Sequence, residues 1–317
     1  MKRLGTSALI FIAIGIALYG LVYLAAEQLL YRTGKSNPFF KIATAGEQVF
    51  DWVILGASHA MPLDFDDFNA QMERETGLRI LNLAAQGAGP LYNRFVFENF
   101  AAEHETANLL YVVDSFAFYS PTWNEDRFAD AGLLRRTPFS PGVARSLAGY
   151  SRREGVDPRA VLDYVSGFSK INNRERFEPD VWEGERQFDR VFRPSAVATR
   201  QRIDYLYPHG TSADALARYL DAFAALVDRA LAHGARVHVI RPPLPPQFHR
   251  QLPEEEVFDA ALSRLLAERS IPFEDLSGAV AEPGFYSDTD HLNRAGVTAF
   301  FATHLRHMLM RAPAPGE

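Results

Sequence analysis

The sequence predicts an α/β protein, built as a three-layer α/β/α sandwich around a five-stranded parallel sheet. Short apolar runs bounded by glycine or proline alternate with longer segments of helical periodicity, which is the pattern of strands joined by helical crossovers. The 317 residues are 47% hydrophobic and 23% charged, which is enough apolar material for a sizeable core. In such a sheet the carboxyl ends of the strands meet at one edge, where ligands bind.

The elements follow in order along the chain. Predicted strands cover residues 52–55, 79–84, 108–114, 235–240 and 272–277. Predicted helices cover residues 65–75, 90–102, 215–234, 254–269 and 293–310. Gly56 ends the first strand, Gly234 stops the long helix, and Asn293 is the expected N-cap of the last helix.

A membrane anchor is predicted before this domain. Residues 8–26 carry no charge, and as a helix they would be about 28 Å long, close to the hydrocarbon thickness of a bilayer. Lys2 and Arg3 precede them, which favours a cytoplasmic N-terminus. A cleaved signal peptide and a buried core helix are the alternatives. We therefore expect an anchor at 1–31, a linker at 32–50, a domain at 51–310 and a loose tail at 311–317.

Residues 115–207 interrupt the alternation of strands and helices and are expected to form a cap insertion. They contain 15 lysines and arginines against 13 aspartates and glutamates, a net charge of +2, which leaves −8 for the rest of a chain whose total is −6. Two interpretations are open. The cap is either a solvated subdomain or a lid whose arginines and aromatic residues contact an anionic or sugar substrate.

Composition excludes several functions. The acidic balance argues against nucleic-acid binding, which needs a clustered positive surface. The absence of cysteine excludes disulfides, thiolate metal sites and cysteine nucleophiles. No phosphate-binding or dinucleotide-binding glycine motif is present, and the histidines lack metal-ligand spacing. We expect neither a cofactor nor a metal.

Three short segments could carry chemistry. Ser58 lies in GASHA (56–60), after the first strand, and His291 lies in SDTDHLN (287–293), before the last helix. Asp288 stands three residues before His291, a spacing that lets its carboxylate accept one ring N–H while the other nitrogen takes a serine proton. Gly87, in NLAAQGAG (82–89), permits a backbone N–H to turn into the site. Taken singly, each could instead be a turn, cap or surface residue.

These three segments, in this order, resemble the conserved blocks of the SGNH (GDSL-type) hydrolase superfamily over residues 51–310, apart from the insertion. The resemblance implies a flavodoxin-like sheet. It also implies that Ser58 is the nucleophile, that His291 is the general base and that Asp288 orients it. The backbone N–H groups of Ser58 and Gly87 would then form the oxyanion hole.

The third block departs from this family. Its usual Gly-x-Asn-Asp, whose asparagine donates to the oxyanion, is replaced by VVDSFAF (112–118). A carboxylate at Asp114 would repel an oxyanion, and loss of one such donor costs about 2.7–4 kcal/mol in the transition state. Possible replacements or substrate contacts are His59, Asn93, Ser115 and a residue of the cap. Arg241, after the fourth strand, could hold an anionic group. An inactive homologue is also possible.

Membrane-tethered relatives suggest the wider setting. The resemblance implies serine-dependent acyl-ester chemistry, with transfer of O-acetyl groups to, or their removal from, a cell-envelope or secreted polysaccharide. Its partners would be an acyl donor, a glycan acceptor and a membrane-bound O-acyltransferase. The chain would be a single-pass protein of the inner membrane with a periplasmic catalytic domain. The alternatives are a non-catalytic scaffold of an envelope complex and a general esterase or lipase.

Overall fold

The computed structural model describes residues 2–311, with side chains from residue 5 onward. Except for Arg311, the predicted tail at 311–317 lies outside the described residues. The strands are β1 (Val49–Gly56), β2 (Ile80–Asn82), β3 (Glu105–Val112), β4 (Arg236–Arg241) and β5 (Phe273–Asp275). All neighbouring strands pair in parallel, in the order β2-β1-β3-β4-β5. This flavodoxin-like sheet confirms the predicted fold class.

Helices cover both faces of the sheet and build the cap. They are α1 (Lys2–Thr33), α2 (Pro38–Thr44), α3 (Phe68–Thr76), α4 (Pro90–Phe100), α5 (Ala131–Leu134), α6 (Pro141–Arg153), α7 (Pro158–Ser166), α8 (Phe168–Ile171), α9 (Glu183–Arg186), α10 (Ala196–Leu206), α11 (Ala213–Ala232), α12 (Pro246–His249), α13 (Glu255–Glu268), α14 (Arg294–Phe300) and α15 (Arg306–Arg311). Short 3₁₀ turns lie at Met61–Asp67, Ser115–Phe118, Pro121–Trp123, Glu125–Ala129 and Pro283–Phe285.

The core lies on both sides of β1, whose side chains alternate between the two faces. Val53 and Leu55 pack with α2, α4, α11 and α13 on one face. Trp52 and Ile54 pack with α3, α14 and α15 on the other. A strand buried on both faces is apolar throughout, which is why residues 52–55 read as a continuous hydrophobic run.

Several predicted boundaries differ from the observed ones. The predicted helix 65–75 is a 3₁₀ turn followed by α3, because Asp66 and Asp67 adopt left-handed backbone angles (φ 45° and 63°) that interrupt a helix. The last helix contains a π-helical turn at Phe301–Leu305 between α14 and α15. Strand β3 ends at Val112, so Asp114 lies in the loop beyond it.

The segment 32–50 is more than a linker. Asn37 caps α2 through its side chain, which accepts hydrogen bonds from the N–H groups of Phe39 and Phe40. Phe39 and Ile42 are buried in the core, so the globular part begins before residue 51. The side-chain amide of Asn37 also donates to Thr137 in the cap, 3.1 Å away.

The N-terminal helix is longer than the predicted span of residues 8–26. Gly5–Thr33 of α1 form an apolar stretch of 29 residues. Its most apolar 18 consecutive residues have a mean hydropathy of 2.4, and none of them is buried against the rest of the chain. This helix is long and apolar enough to cross a membrane.

The insertion 115–207, all of it described, folds as short helices and loops without a strand. Trp123 donates its indole N–H to the carbonyl of Leu206, which joins the two ends of the insertion. Helix α6 packs on α4 of the core, where Arg94 donates to the Tyr150 hydroxyl. The cap therefore sits on the domain at the carboxyl edge of the sheet.

Candidate active site

Ser58 lies two residues beyond β1, in a tight turn. Gly56 has a φ of +153°, and a Cβ there would lie 2.7 Å from the carbonyl oxygen of Val112 on the neighbouring strand. The carbonyl of Ser58 accepts a hydrogen bond from Met61 N–H as the chain enters the 3₁₀ turn. The serine is therefore presented by a turn and a 3₁₀ segment rather than at the start of an α-helix.

The loop before α14 brings His291 onto Ser58, although 233 residues separate them in the sequence. Nε2 of His291 lies 2.9 Å from Oγ of Ser58. Its Nδ1 lies 2.9 Å and 3.0 Å from the two carboxylate oxygens of Asp288. This geometry lets one ring nitrogen take the serine proton while the carboxylate holds the tautomer and stabilises the imidazolium.

Asp288 and Asp290 have different environments. Interaction with His291 lowers the pKa of Asp288 although burial opposes this, so it is ionised at neutral pH. Asp290 is fully buried and lies 3.6 Å from Nδ1 of His291. Nε of Arg202, from α10 of the cap, reaches both carboxylate oxygens of Asp290 at 2.8 Å and 3.0 Å. Despite burial, Arg202, His291 and His59 hold the pKa of Asp290 well below its usual range.

His59 is a buried cation beside these groups. Its Nδ1 lies 2.6 Å from Asp114 Oδ1, and its Nε2 lies 3.3 Å from Asp290 Oδ2. Burial lowers the pKa of His59, but the two carboxylates outweigh it and raise the pKa to about 10. The rings of His59 and His291 lie 4.8 Å apart. The third-block carboxylate therefore faces a histidine cation, which is hydrogen-bonded to Asp114 and lies within ion-pair distance of Asp290.

The glycine block lies against the serine turn. The side chain of Asn82 donates to the carbonyl of Ala60 and accepts from the N–H of Ala84. Gly87 has a φ of +61°, and a Cβ there would lie 2.8 Å from the ring of Trp123. Only glycine fits this conformation and space without strain. The oxyanion role of the Gly87 N–H remains a prediction.

Three residues expected to contact substrate are engaged elsewhere. Asn93 donates to the carbonyls of Ala88 and Gly89 and so fixes the start of α4. Ser115 is buried and hydrogen-bonded to the side chains of Tyr207 and Glu255.

Arg241 is also engaged. It is buried and forms ion pairs with Glu255, Asp259 and Asp275. The side chains of Asn93, Ser115 and Arg241 thus already contact polar or charged groups of the protein, and their contact with substrate stays a prediction.

The cap covers the serine and histidine. Ser58 is 4% exposed and His291 3% exposed, and the Trp182 ring lies 5.3 Å from that of His291.

A cavity of about 310 Å³ lies between cap and core. Met61, from the serine turn, and Gln86, from the glycine block, are among the residues that line it. Basic and acidic side chains also line it, namely Arg127, Arg135, Arg136, Arg186, Asp130, Glu175, Glu178, Asp180 and Glu183.

Sequence reasoning missed the roles of Arg202 and Trp182. Both lie in the insertion, where no strand end or motif fixes their position. A signal did exist for the pairing of His59 with Asp114. Each follows the carboxyl end of a strand, β1 or β3, and these strands are neighbours in a flavodoxin-like order.

His59, Asp290 and His291 also offer ligand atoms that lie within 4.8 Å of one another. However, His291 is hydrogen-bonded to Ser58, and Asp290 is bonded to Arg202. A divalent cation at this place would face the charges of Arg202 and of protonated His59. These contacts do not favour a metal site, and its absence remains a prediction.

No family model matches this sequence, and no curated protein matches it. Several solved structures align with it. One is named as an acylhydrolase from Bacteroides fragilis and is 10% identical in sequence. Its alignment covers 86% of this chain and 95% of that chain, with a TM-score of 0.43. TesA aligns at 13% identity, with 84% and 95% covered and a TM-score of 0.40. A GDSL-like lipase from Bacteroides thetaiotaomicron aligns at 9% identity, with 84% and 89% covered and a TM-score of 0.41.

These are distant likenesses, so the site is judged on its own geometry. The fold is the one that the resemblance to SGNH hydrolases implies. The sheet has the expected strand order, and Ser58, His291 and Asp288 meet at its carboxyl edge.

Proposed function

We propose that this chain is an SGNH-type serine esterase or O-acyltransferase. The observation that carries the proposal is the continuous contact from Ser58 through His291 to Asp288, with both distances at 2.9 Å. Acyl transfer through a covalent intermediate needs a nucleophile within hydrogen-bonding distance of a base, and a carboxylate within hydrogen-bonding distance of that base.

In the proposed reaction, Ser58 Oγ attacks the ester carbonyl as its proton passes to Nε2 of His291. Asp288 stabilises the imidazolium, and the N–H groups of Ser58 and Gly87 hold the oxyanion. Collapse of the tetrahedral intermediate releases the alcohol, which takes the proton from His291. Water or a sugar hydroxyl then gives a proton to His291 and attacks the acyl-enzyme. Collapse of this second tetrahedral intermediate breaks the bond to Ser58, releases the acid or the new ester, and returns the proton from His291 to Ser58 Oγ.

The cation at His59 supports this chemistry despite the altered third block. Asp114 and Asp290 would place two negative charges close to the developing oxyanion. The positive charges of His59 and Arg202 balance them within one buried cluster. We infer that this cluster makes a carboxylate tolerable where the family has an asparagine.

The proposed substrate is a cell-envelope or secreted polysaccharide. The cavity combines Trp182 with four arginines, each paired with a carboxylate of the same lining. This mainly polar lining with one aromatic face is suited to a polar substrate. We propose an acyl donor and a glycan acceptor as substrates, with a membrane-bound O-acyltransferase as the possible partner. Helix α1 supports a single-pass location at the inner membrane with a periplasmic domain.

Labelling by a fluorophosphonate tests the mechanism. The detergent-solubilised full chain should be labelled and should release p-nitrophenol from p-nitrophenyl acetate, and Ser58→Ala should abolish both. Ser151→Ala, in the cap helix α6, is the matched control and should keep both. A folded wild type with neither labelling nor turnover would favour the non-catalytic scaffold.

Glycan analysis tests the substrate. A deletion strain complemented with Ser58→Ala should show a changed O-acetyl content of its envelope polysaccharide, which the wild-type gene restores. Esterase activity with an unchanged glycan would favour a general esterase. Activity lost with EDTA and restored by a metal would contradict the proposed mechanism.

A further inference from the structure

One corner of the cap exposes apolar side chains to solvent. This cap corner comprises α7, α8 and Gly167 between them, residues 158–171. Leu162 is 70% exposed, Val165 51% and Phe168 62%. Helix α7 buries Ala160 and Tyr164 against the cap and turns Leu162 and Val165, one helical turn apart, outward. Such a cluster on a soluble surface marks an interaction site.

The cap corner is held against α1. The hydroxyl of Tyr19 donates to the carbonyl of Ser166 at 2.9 Å. The ring of Tyr23 packs on Gly167, where a Cβ would lie 2.2 Å from it. Lys170 is hydrogen-bonded to Glu27. The exposed apolar surface of α1 therefore continues onto the exposed side chains of the cap corner.

The length of α1 sets the depth of these contacts. Gly5–Thr33 has 29 residues and is about 44 Å long, whereas the hydrocarbon layer is about 30 Å thick and takes about 20 residues. Lys2 and Arg3 hold the N-terminus among the cytoplasmic headgroups, so the layer begins near Gly5 and ends near residue 25. Tyr19 and Tyr23 then lie about 9 Å and about 3 Å inside the outer boundary. A tilt of α1 would place both tyrosines deeper in the hydrocarbon layer.

Charge placement agrees with this depth. Glu27 and Lys170 pair just outside the calculated boundary, where charged groups belong. Interfacial apolar elements typically lie about 5–10 Å into the boundary between headgroups and acyl chains. Leu162, Val165 and Phe168 belong to the same cap corner as Ser166 and Gly167, which contact α1.

We propose that the cap corner docks into the outer leaflet of the bilayer and inserts Leu162, Val165 and Phe168. This rests on the proposal that α1 spans a membrane. The cavity between cap and core is lined by Ser36 and Asn37, just after α1, so docking fixes its position close to the membrane surface. The reaction would then take place on substrates presented there.

The absence of cysteine makes a direct test possible. Val165→Cys and Val257→Cys, the latter 54% exposed on α13, are matched sites for one environment-sensitive fluorophore. Each full-length variant is reconstituted in vesicles of phosphatidylethanolamine and phosphatidylglycerol containing spin-labelled lipids. The fluorophore at residue 165 should be quenched at least about twofold more than that at residue 257. A third variant, Leu9→Cys, reports on α1 itself.

The outcomes separate the two proposals. Quenching at residue 9 with equal quenching at residues 165 and 257 would overturn the docking alone. No quenching at residue 9 would overturn both the anchor and the docking. Cross-linking of Val165→Cys to a second copy, without lipid quenching, would make the cap corner a dimer interface and would also overturn the proposal. Unchanged thermal melting of the variants confirms that they are folded.

Discussion

Two aspartates stand next to His291 in sequence, and the fold assigns them different tasks. Asp288 contacts Nδ1 of His291 and also accepts the backbone N–H of that residue at 2.8 Å. Asp290 is fully buried between Arg202 and His59. The loop geometry thus places Asp288 against the imidazole of His291, in the position that the proposed orienting role needs, and places Asp290 between His59 and the partly buried Arg202.

Asp288→Asn should lower kcat by on the order of 10²–10⁴, because an amide favours the wrong tautomer of His291. The melting temperature should change little, since Asp288 is partly exposed. The rate of p-nitrophenyl acetate hydrolysis and a thermal melt measure the two effects. Asp221→Asn, on an exposed turn of α11, is the control. An equal loss of kcat in a fully folded Asp290→Asn variant would assign the orienting role to Asp290 instead.

His59→Gln should destabilise the protein by about 3–5 kcal/mol at pH 6, because it leaves Asp114 and Asp290 without their buried cation. The folded-state pKa of His59 is raised from 6.5 to about 10, so its stabilisation is fully present below pH 6.5 and is lost as the pH rises through about 10. Denaturant unfolding at several pH values should show this decline in the wild type and a flatter profile in the variant. His209→Gln, at an exposed loop, should keep the wild-type profile.

At the scale of elements, the site depends on how closely β1 approaches β3. Gly56 ends β1 with a left-handed φ, and its Cα faces the carbonyl of Val112. This close approach lets the chain turn at once, so that Ser58 and Asp114 emerge at the same edge. A side chain at residue 56 would have to push two paired strands apart.

Gly56→Ala should therefore destabilise the protein by about 1–3 kcal/mol through backbone strain and the clash with Val112. It should also weaken labelling of Ser58, because the serine turn is displaced. Gly46→Ala, where a Cβ would meet no atom within 4 Å, is the matched control and should stay within about 0.5 kcal/mol of the wild type. Thermal and denaturant unfolding in detergent measure the stability of both variants. A neutral Gly56→Ala would show that the strand pair adjusts without strain.

At the scale of the whole molecule, the cap and core together bury Ser58, the proposed nucleophile. The ring of Trp182 meets that of His291 edge-on and is tilted against that of Phe65, while Arg202 donates a hydrogen bond to Asp290. The cap thus contributes one aromatic cover and one charged contact to a site whose serine and histidine belong to the core. We expect the cover to control which esters reach Ser58.

Trp182→Ala should increase labelling of Ser58 by a bulky fluorophosphonate relative to a small one by about tenfold, equivalent to about 1.4 kcal/mol in the barrier. The ratio of the two labelling rates isolates access from intrinsic reactivity. Phe177→Ala, an exposed aromatic of the cap, should leave the ratio unchanged. The idea of Trp182 as a cover fails if its removal slows both reagents equally.

The sheet and the proximity of Ser58 to His291 were predictable from local sequence patterns. Apolar runs ended by glycine or proline mark strands, and parallel strands open on one edge, so Ser58 and His291 were expected to be able to meet there. Asp288 followed from its spacing before His291, because a loop carboxylate three residues away can turn back to the ring.

The charges around the site and the residues that cover it depend on contacts between distant parts of the chain. The positive charge of His59 depends on Asp114 and Asp290 converging on it from two other loops, which no local pattern encodes. Arg241 looked like an anion site at a strand end, but three carboxylates from α13 and β5 neutralise it. The positions of Trp182 and Arg202 come from the packing of an insertion without strands, where periodicity gives no register. Long-range electrostatics and packing, rather than local propensity, set these features.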